Sequence, residues 1–252
     1  MLEGWLNAGE PADRFAILDP GLNEAPDGVT LYKDAKDVAG HDCVMLGFKP
    51  QQLSKLAPQF QAIVGGGVTV FSLLAGVSLG ILKEAFPESH AQVRVMPNLA
   101  ARLNKSPVLL VESGLDDGMR QSSQALFDTL GSANWITNED QFDLVTALVG
   151  SGPAFVYRFI DSLGTAGGDL GLDPEQAQRM ALQMVEGAAA LAAQSPYSPA
   201  ELAERVASPG GVTREGLNVL DHEEALKTLM NKTLDATARR GSELAELARK
   251  QG

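Results

Sequence analysis

The chain has 252 residues, enough for one large domain or two modest ones with real cores. Hydrophobic residues make up 44% and charged residues 21%, and the formal net charge is −12, from 20 basic against 32 acidic side chains. That is ordinary globular usage without a Lys/Arg run to displace counterions and without an apolar stretch of about 18 residues, so neither nucleic acid nor a membrane is expected as a partner.

Phe15-Ala-Ile-Leu18 is the first apolar run and predicts a strand that stops at the turn Asp19-Pro20-Gly21. Cys43-Val-Met-Leu-Gly-Phe48 predicts the second, closed by Lys49-Pro50, and Val68-Thr-Val-Phe-Ser-Leu-Leu74 the third, followed by a helix over 75–86. Val93-Arg-Val-Met96 and Val108-Leu-Leu-Val111 are the fourth and fifth, and 116–130 reads as an amphipathic helix. Continuous apolar strands separated by helices imply a parallel sheet covered on both faces, a doubly wound α/β domain over residues 1–138.

From Asn138 onward no strand is predicted. Asn138-Glu-Asp-Gln141 reads as a helix cap, 144–149 and 154–163 as apolar helix, and Pro174 as the first residue of a helix capped by Asp173. Residues 176–193 form a long Ala- and Met-rich helix, and 223–250 another with Leu226, Leu229, Leu234, Leu244 and Leu247 in heptad-like spacing. Residues 139–252 are therefore expected to be all-α. Glu186-Gly-Ala-Ala-Ala-Leu191 would let helix backbones approach closely.

Each candidate site residue has two readings. Asp19, at a strand end, is placed to bond the adenosine ribose hydroxyls of a dinucleotide and to repel a 2′-phosphate, or is part of an Asp-Pro-Gly turn. No Lys or Arg follows it before Lys33, which favours NADH over NADPH. Lys49-Pro50 lies at the ligand-binding edge of an open sheet, or is a turn lysine with a proline starting a helix. Gly65-Gly-Gly67 precedes a strand instead of opening a helix, so it reads as a turn and not a phosphate cradle. Ser72-Leu-Leu-Ala75-Gly76 offers close backbone approach to a cofactor, or tight packing. Asn98 puts an amide at the crevice or caps a turn. In Ser208-Pro209-Gly210-Gly211-Val212-Thr213, positive φ at the glycines would expose consecutive N–H groups, a nest for a carboxylate beside a helix start; Thr213 adds a hydroxyl or caps the helix that follows. Gly150-Ser-Gly-Pro153 costs stability inside a helix and implies a packing or functional reason. Cys43, the one cysteine, forbids an intramolecular disulfide and reads as a small hydrophobe. His41, His90 and His222 are too scattered for metal ligation. The first residues lack the basic region of a signal peptide, and a cytoplasmic location is expected.

Val95-Met-Pro-Asn98, Val145-Thr146 followed by Gly150-Ser-Gly-Pro-Ala-Phe155, Gly171-Leu172 and Ser208-Pro-Gly-Gly-Val-Thr213 occur in an order and spacing that resemble the pyrroline-5-carboxylate reductases. Phe48-Lys49-Pro50-Gln51 and Ala75-Gly76-Val77 are similar to that family's cofactor-side segments. The resemblance runs from Met1 to about Leu247. It implies an oxidoreductase of proline biosynthesis, with a Rossmann-like N-terminal domain and an all-α C-terminal domain that interlocks into a homodimer or larger oligomer. It also implies NADPH or NADH as cofactor, lined by Lys49, Pro50 and Ala75, and a cyclic imino acid substrate whose carboxylate and ring are held by Gly210, Gly211, Val212 and Thr213, with Ser208 beside them. Hydride would pass to the imine carbon of a ring whose nitrogen takes its proton from solvent, so positioning would supply most of the catalysis, with Thr213 orienting the imine nitrogen.

The sequence departs from the family where Leu99-Ala100 follows Asn98 in place of Thr-Pro, and where Asp19-Pro20 replaces hydroxyl or basic residues. By the resemblance, Met1-Leu-Glu-Gly-Trp-Leu6 would lie inside the first helix, so the strand and Gly-rich loop before it are expected to be missing and the true start to lie upstream. Two rivals follow. A related hydroxy-acid dehydrogenase needs a lysine in the helical domain, and none occurs between Lys105 and Lys227. A catalytically inactive fragment would serve as a dimerisation or binding module.

Overall fold

The computed structural model describes residues 1–251, with the side chains at 244, 245 and 247–251 outside the described set. The expected apolar positions Leu244 and Leu247 fall there. The chain forms two compact units, one from Met1–Gly150 together with the residues from Thr237 onward, the other from Ser151–Ala236.

The first unit opens with helix α1 (Leu2–Asn7) and, among the described residues, carries seven strands. β1 (Ala16–Leu18) and β2 (Thr30–Tyr32) form a parallel pair of their own. β3 (Cys43–Leu46), β4 (Thr69–Ser72), β5 (Ala91–Met96), β6 (Ser106–Ser113) and β7 (Gly131–Trp135) form a five-stranded sheet in that order. Helices α2 (Leu53–Val64), α3 (Leu79–Ala85) and α4 (Asp117–Asp128) connect them.

Alternation along the strands divides the core by face. Phe71, Val93, Val95, Val108 and Leu110 pack with Trp5 of α1 and Phe127 of α4. Leu46 and Val70 pack with Leu53 and Val64 of α2 and Leu82 of α3. Both faces are therefore covered, as expected of a doubly wound domain.

The sheet is not all parallel. β5 and β6 run antiparallel, with Val95 opposite Leu110. Only residues 97–105 join them, including a 3-10 turn at Leu99–Leu103, and a parallel crossover takes about a dozen residues or more. The helix expected over 75–86 begins at Leu79, because the Ser78 hydroxyl caps it by accepting from the Ile81 N–H at 3.3 Å. Ala75 and Gly76 remain in a turn, with Gly76 at φ +75°. Cys43, read as a small hydrophobe, opens β3 as an exposed residue.

The units divide after Gly150, later than the expected boundary at 138. Phe142, in the short α5 (Phe142–Val145), is buried with Leu79, Leu109 and Val111. Asn138 accepts from the Asp140 N–H at 2.9 Å and caps the turn that leads into it. Residues 139–150 thus pack with the sheet.

The second unit contains α6 (Gly152–Asp169), α7 (Pro174–Gln194), α8 (Pro199–Val206) and α9 (Val212–Asp221), and α10 (Ala225–Gln251) begins in it. Asp173 caps α7 through the Gln176 N–H at 2.9 Å, and Pro174 is its first residue, as expected. α6 and α7 approach closely at the buried Gly164, where a Cβ would sit 2.5 Å from Gln178 Cδ and 2.9 Å from its Cα. α8 is opened by a capping box in which Ser198 and Glu201 exchange side-chain-to-backbone bonds of 2.8 and 3.3 Å. Among the described residues of this unit, Gly164, Ala177, Ala181 and Ala207 alone are buried. Among the described residues no helix is long and apolar enough to cross a membrane.

Candidate active site

In the first unit the candidate residues stand just beyond the C-terminal ends of parallel strands, the edge where open α/β sheets bind ligands. Asp19 follows β1. Its exposed carboxylate accepts from the Gly21 N–H at 2.8 Å, so the Asp-Pro-Gly turn orients it and leaves a second oxygen available. The Asp19 N–H donates to the Tyr32 carbonyl at 3.1 Å, which brings the end of β2 level with it. Lys49 follows β3, exposed, as the cap of the turn Pro50–Gln52, its N–H bonded to Gln52 Oε1 at 3.3 Å. Ala75, exposed, lies in the turn after β4.

Asn98 follows β5 and makes three hydrogen bonds. Its Oδ1 accepts from the Ala100 N–H at 2.9 Å, its own N–H donates to Ser106 Oγ at 3.0 Å, and its Nδ2 donates to the Val149 carbonyl at 3.0 Å. It therefore caps the 3-10 turn, and the amide keeps one N–H for a ligand. Val149 belongs to a π-helical turn, Thr146–Gly150, a form that recurs at functional sites. Gly150 ends it, with Met96 Cγ 3.5 Å from where its Cβ would be.

Arg94 on β5 secures this region. Its guanidinium is buried over the Phe142 ring at 3.8 Å, donates to Glu139 at 2.8 Å and lies 3.9 Å from Asp143. Glu139 also accepts from the Leu79 N–H at 2.8 Å, and Asp143 accepts from the Ser242 hydroxyl at 3.1 Å. A cleft of about 270 Å³ opens here beside Gly76 and Ser78. With Glu139, Asp140, Asp143 and Glu246 against one arginine, its lining repels a phosphate. Among the described residues no group of His, Cys, Asp and Glu is placed to hold a metal ion.

In the second unit, Ser208–Gly211 is a tight turn into α9. Gly210 has φ +70°, but Gly211 has φ −81° and is the N-cap, so Thr213 is the second helical residue and not the cap. The Gly211 N–H donates to the Ser208 carbonyl at 3.0 Å and is not exposed for a ligand. The donors offered are those of Val212 and Thr213, which no intrahelical carbonyl can reach. Glycine at 211 matters for a different reason: a Cβ would lie 2.5 Å from Ser208 Oγ and 3.1 Å from the Ser208 carbonyl, so Ser208 would have to shift. Val212 is 93% exposed beside these donors. Arg214 braces the turn, donating to Glu204 of α8 at 3.1 Å and to the Ala207 carbonyl at 3.3 Å. That hydrogen bond from Arg214 holds the Glu204 carboxyl below the usual range, and the same contact raises the guanidinium.

A family model described as pyrroline-5-carboxylate reductase dimerisation matches residues 139–244. A pyrroline-5-carboxylate reductase of Pseudomonas aeruginosa is 32% identical over 253 residues, which cover 98% of this chain and 92% of that protein. The chain belongs to the pyrroline-5-carboxylate reductase family. A second relative, pyrroline-5-carboxylate reductase 2 of Bacillus subtilis, is 33% identical over 81% of this chain and 73% of its own length.

The fold agrees with that membership. A solved pyrroline-5-carboxylate reductase of Coxiella burnetii superposes with a TM-score of 0.90 at 28% identity, covering 96% of this chain and 93% of that one. A pyrroline carboxylate reductase of Plasmodium falciparum, solved with NADP bound, shares the fold at TM-score 0.81 and 24% identity, covering 97% and 92%. The architecture is thus the Rossmann-like α/β domain and helical dimerisation domain of the pyrroline-5-carboxylate reductases.

Two structural supports of the site carry little signal in the sequence. Arg94 lies inside an apolar strand, where only its isolation as a charge signals a buried partner. The Arg214–Glu204 brace joins residues ten apart across a turn and has no periodic signature.

Proposed function

We propose that this chain reduces 1-pyrroline-5-carboxylate to L-proline, the last step of proline formation, with a reduced nicotinamide cofactor as electron donor. The observation that carries this reading is the Ser208–Thr213 turn opening α9 in a member of this family. The N–H groups of Val212 and Thr213, with the positive end of a ten-residue helix behind them, suit a carboxylate. Ser208 and the glycines 210 and 211 shape that cradle, and the Thr213 hydroxyl accepts from the protonated ring nitrogen to fix its angle.

The cofactor supplies the hydride when bound. Residues 1–138 hold it at the strand ends: Asp19 accepts from the adenosine ribose hydroxyls, Lys49 and Pro50 flank it, and Ala75 and the spare N–H of Asn98 face the nicotinamide side. The exposed Asp19 carboxylate supports a preference for NADH. The helices within residues 151–236 hold the substrate and dimerise. No acid of low pKa is required, because the ring nitrogen is protonated by solvent before it binds; the chain's contribution is orientation and exclusion of water. One cysteine in 252 residues suits a reducing cytoplasm.

The test follows NADH consumption by the purified chain with pyrroline-5-carboxylate and with 1-pyrroline, which lacks the carboxylate. Turnover of the first with kcat/KM at least about tenfold higher than of the second supports the cradle, since a charge-assisted bond to a carboxylate is worth roughly 1.5–3 kcal/mol. A folded chain that consumes neither NADH nor NADPH overturns the assignment and leaves a binding module.

A further inference from the structure

The end of β2 carries a cation that faces the Asp19 position. β1 and β2 pair in register, Leu18 opposite Tyr32, so Asp19 and Lys33 leave the pair side by side. The Lys33 ammonium lies 3.4 Å from the backbone carbonyl of Asp19 and has no carboxylate partner among the described residues. The nearest acid in sequence, Asp34, is engaged elsewhere: its carboxylate takes the Lys36 ammonium at 2.9 Å and the Lys36 N–H at 3.1 Å. The Asp19 carboxylate is in turn fixed by Gly21 N–H and does not reach for Lys33. The pair is thus two separately held opposite charges at one strand end.

A lone carboxylate there accepts from ribose hydroxyls and repels a 2′-phosphate. A carboxylate beside an ammonium held only by a backbone carbonyl is close to neutral toward an incoming dianion, and the ammonium keeps two further donors for phosphate oxygens. We propose that Lys33 is the second determinant of cofactor choice: it takes the 2′-phosphate of NADPH, so that the chain binds both cofactors, with Asp19 pulling toward NADH and Lys33 toward NADPH. This rests on the reductase reading above. Its signature is that the two residues, adjacent in space, shift the preference in opposite directions.

The experiment is calorimetric titration of NADH and NADPH into the wild-type chain, Lys33→Ala and Asp19→Asn, at low and moderate KCl. Both side chains are exposed, so the substitutions spare the core. Lys33→Ala raises the ratio Kd(NADPH)/Kd(NADH) about tenfold, the value of one charge-assisted hydrogen bond to phosphate, and Asp19→Asn lowers it by a similar factor. Added salt weakens NADPH more than NADH in the wild type, and Lys33→Ala removes that difference. If NADH binds but Lys33→Ala leaves the ratio and its salt dependence unchanged, the inference is wrong and the reductase reading stands. If neither nucleotide binds the wild-type chain at millimolar concentration, both fall together.

Discussion

Single atoms decide most at the 208–213 turn. Gly211 has a φ that any residue adopts, yet a methyl group there would overlap Ser208 Oγ. Gly211→Ala therefore pushes Ser208 aside and opens the turn, at a cost of about 1–3 kcal/mol for the overlap. The expected result is a raised KM for the imino acid with little change in the KM for the nicotinamide, read from steady-state kinetics. The brace behind the turn has a pH signature. Because Arg214 depresses the Glu204 carboxyl, the contact is fully present above the ordinary glutamate value of about 4.3 and is lost as pH falls through the lower folded value. Substrate affinity should drop in that acidic window, and Arg214→Ala should show the weakened affinity at neutral pH with no further acid transition from this pair. An identical acid profile in the variant would assign the transition to other groups.

Elements were legible to the extent that their signals were local and long. Strands β3 to β6 announce themselves as apolar runs, α4 through the amphipathic pattern over 116–130 and α7 through its cap, Asp173. β2 and β7 were missed: Thr30–Tyr32 is short, and Gly131-Ser-Ala-Asn-Trp135 is polar at the sheet's edge, so neither has the apolar density of a central strand. The direction of β6 depended on connection length and not on composition. The site was half legible. Ser208–Thr213 was found from its glycines, but which N–H groups stay free depends on where α9 begins, a matter of one residue. Between helices, Gly164 shows how small a residue an element contact can require. Gly164→Val drives a branched side chain into Gln178 and should separate α6 from α7, lowering thermal stability by several degrees, roughly 3 kcal/mol, in a calorimetric scan. A variant as stable as the parent would mean that the helix pair repacks freely.

At the scale of the whole molecule, the helical unit stands out for what it leaves uncovered. Its buried residues are a glycine and three alanines, while Tyr157, Phe159, Leu172, Met180, Leu182 and Leu191 are between about half and two-thirds exposed. A unit of this size cannot meet its conformational entropy with so small an interior. Covering those side chains with a second copy would return roughly 1.5–3 kcal/mol for each one fully buried, in keeping with the dimerisation model that matches this region. Leu182→Lys in the middle of that surface should shift the protein to monomer in sedimentation velocity and abolish turnover, whereas a monomeric parent with the same sedimentation coefficient would refute the idea. An interior completed by another molecule also makes folding obey mass action. The melting temperature becomes a function of protein concentration, climbing with each tenfold increase, and plain dilution acts on this chain as a denaturant.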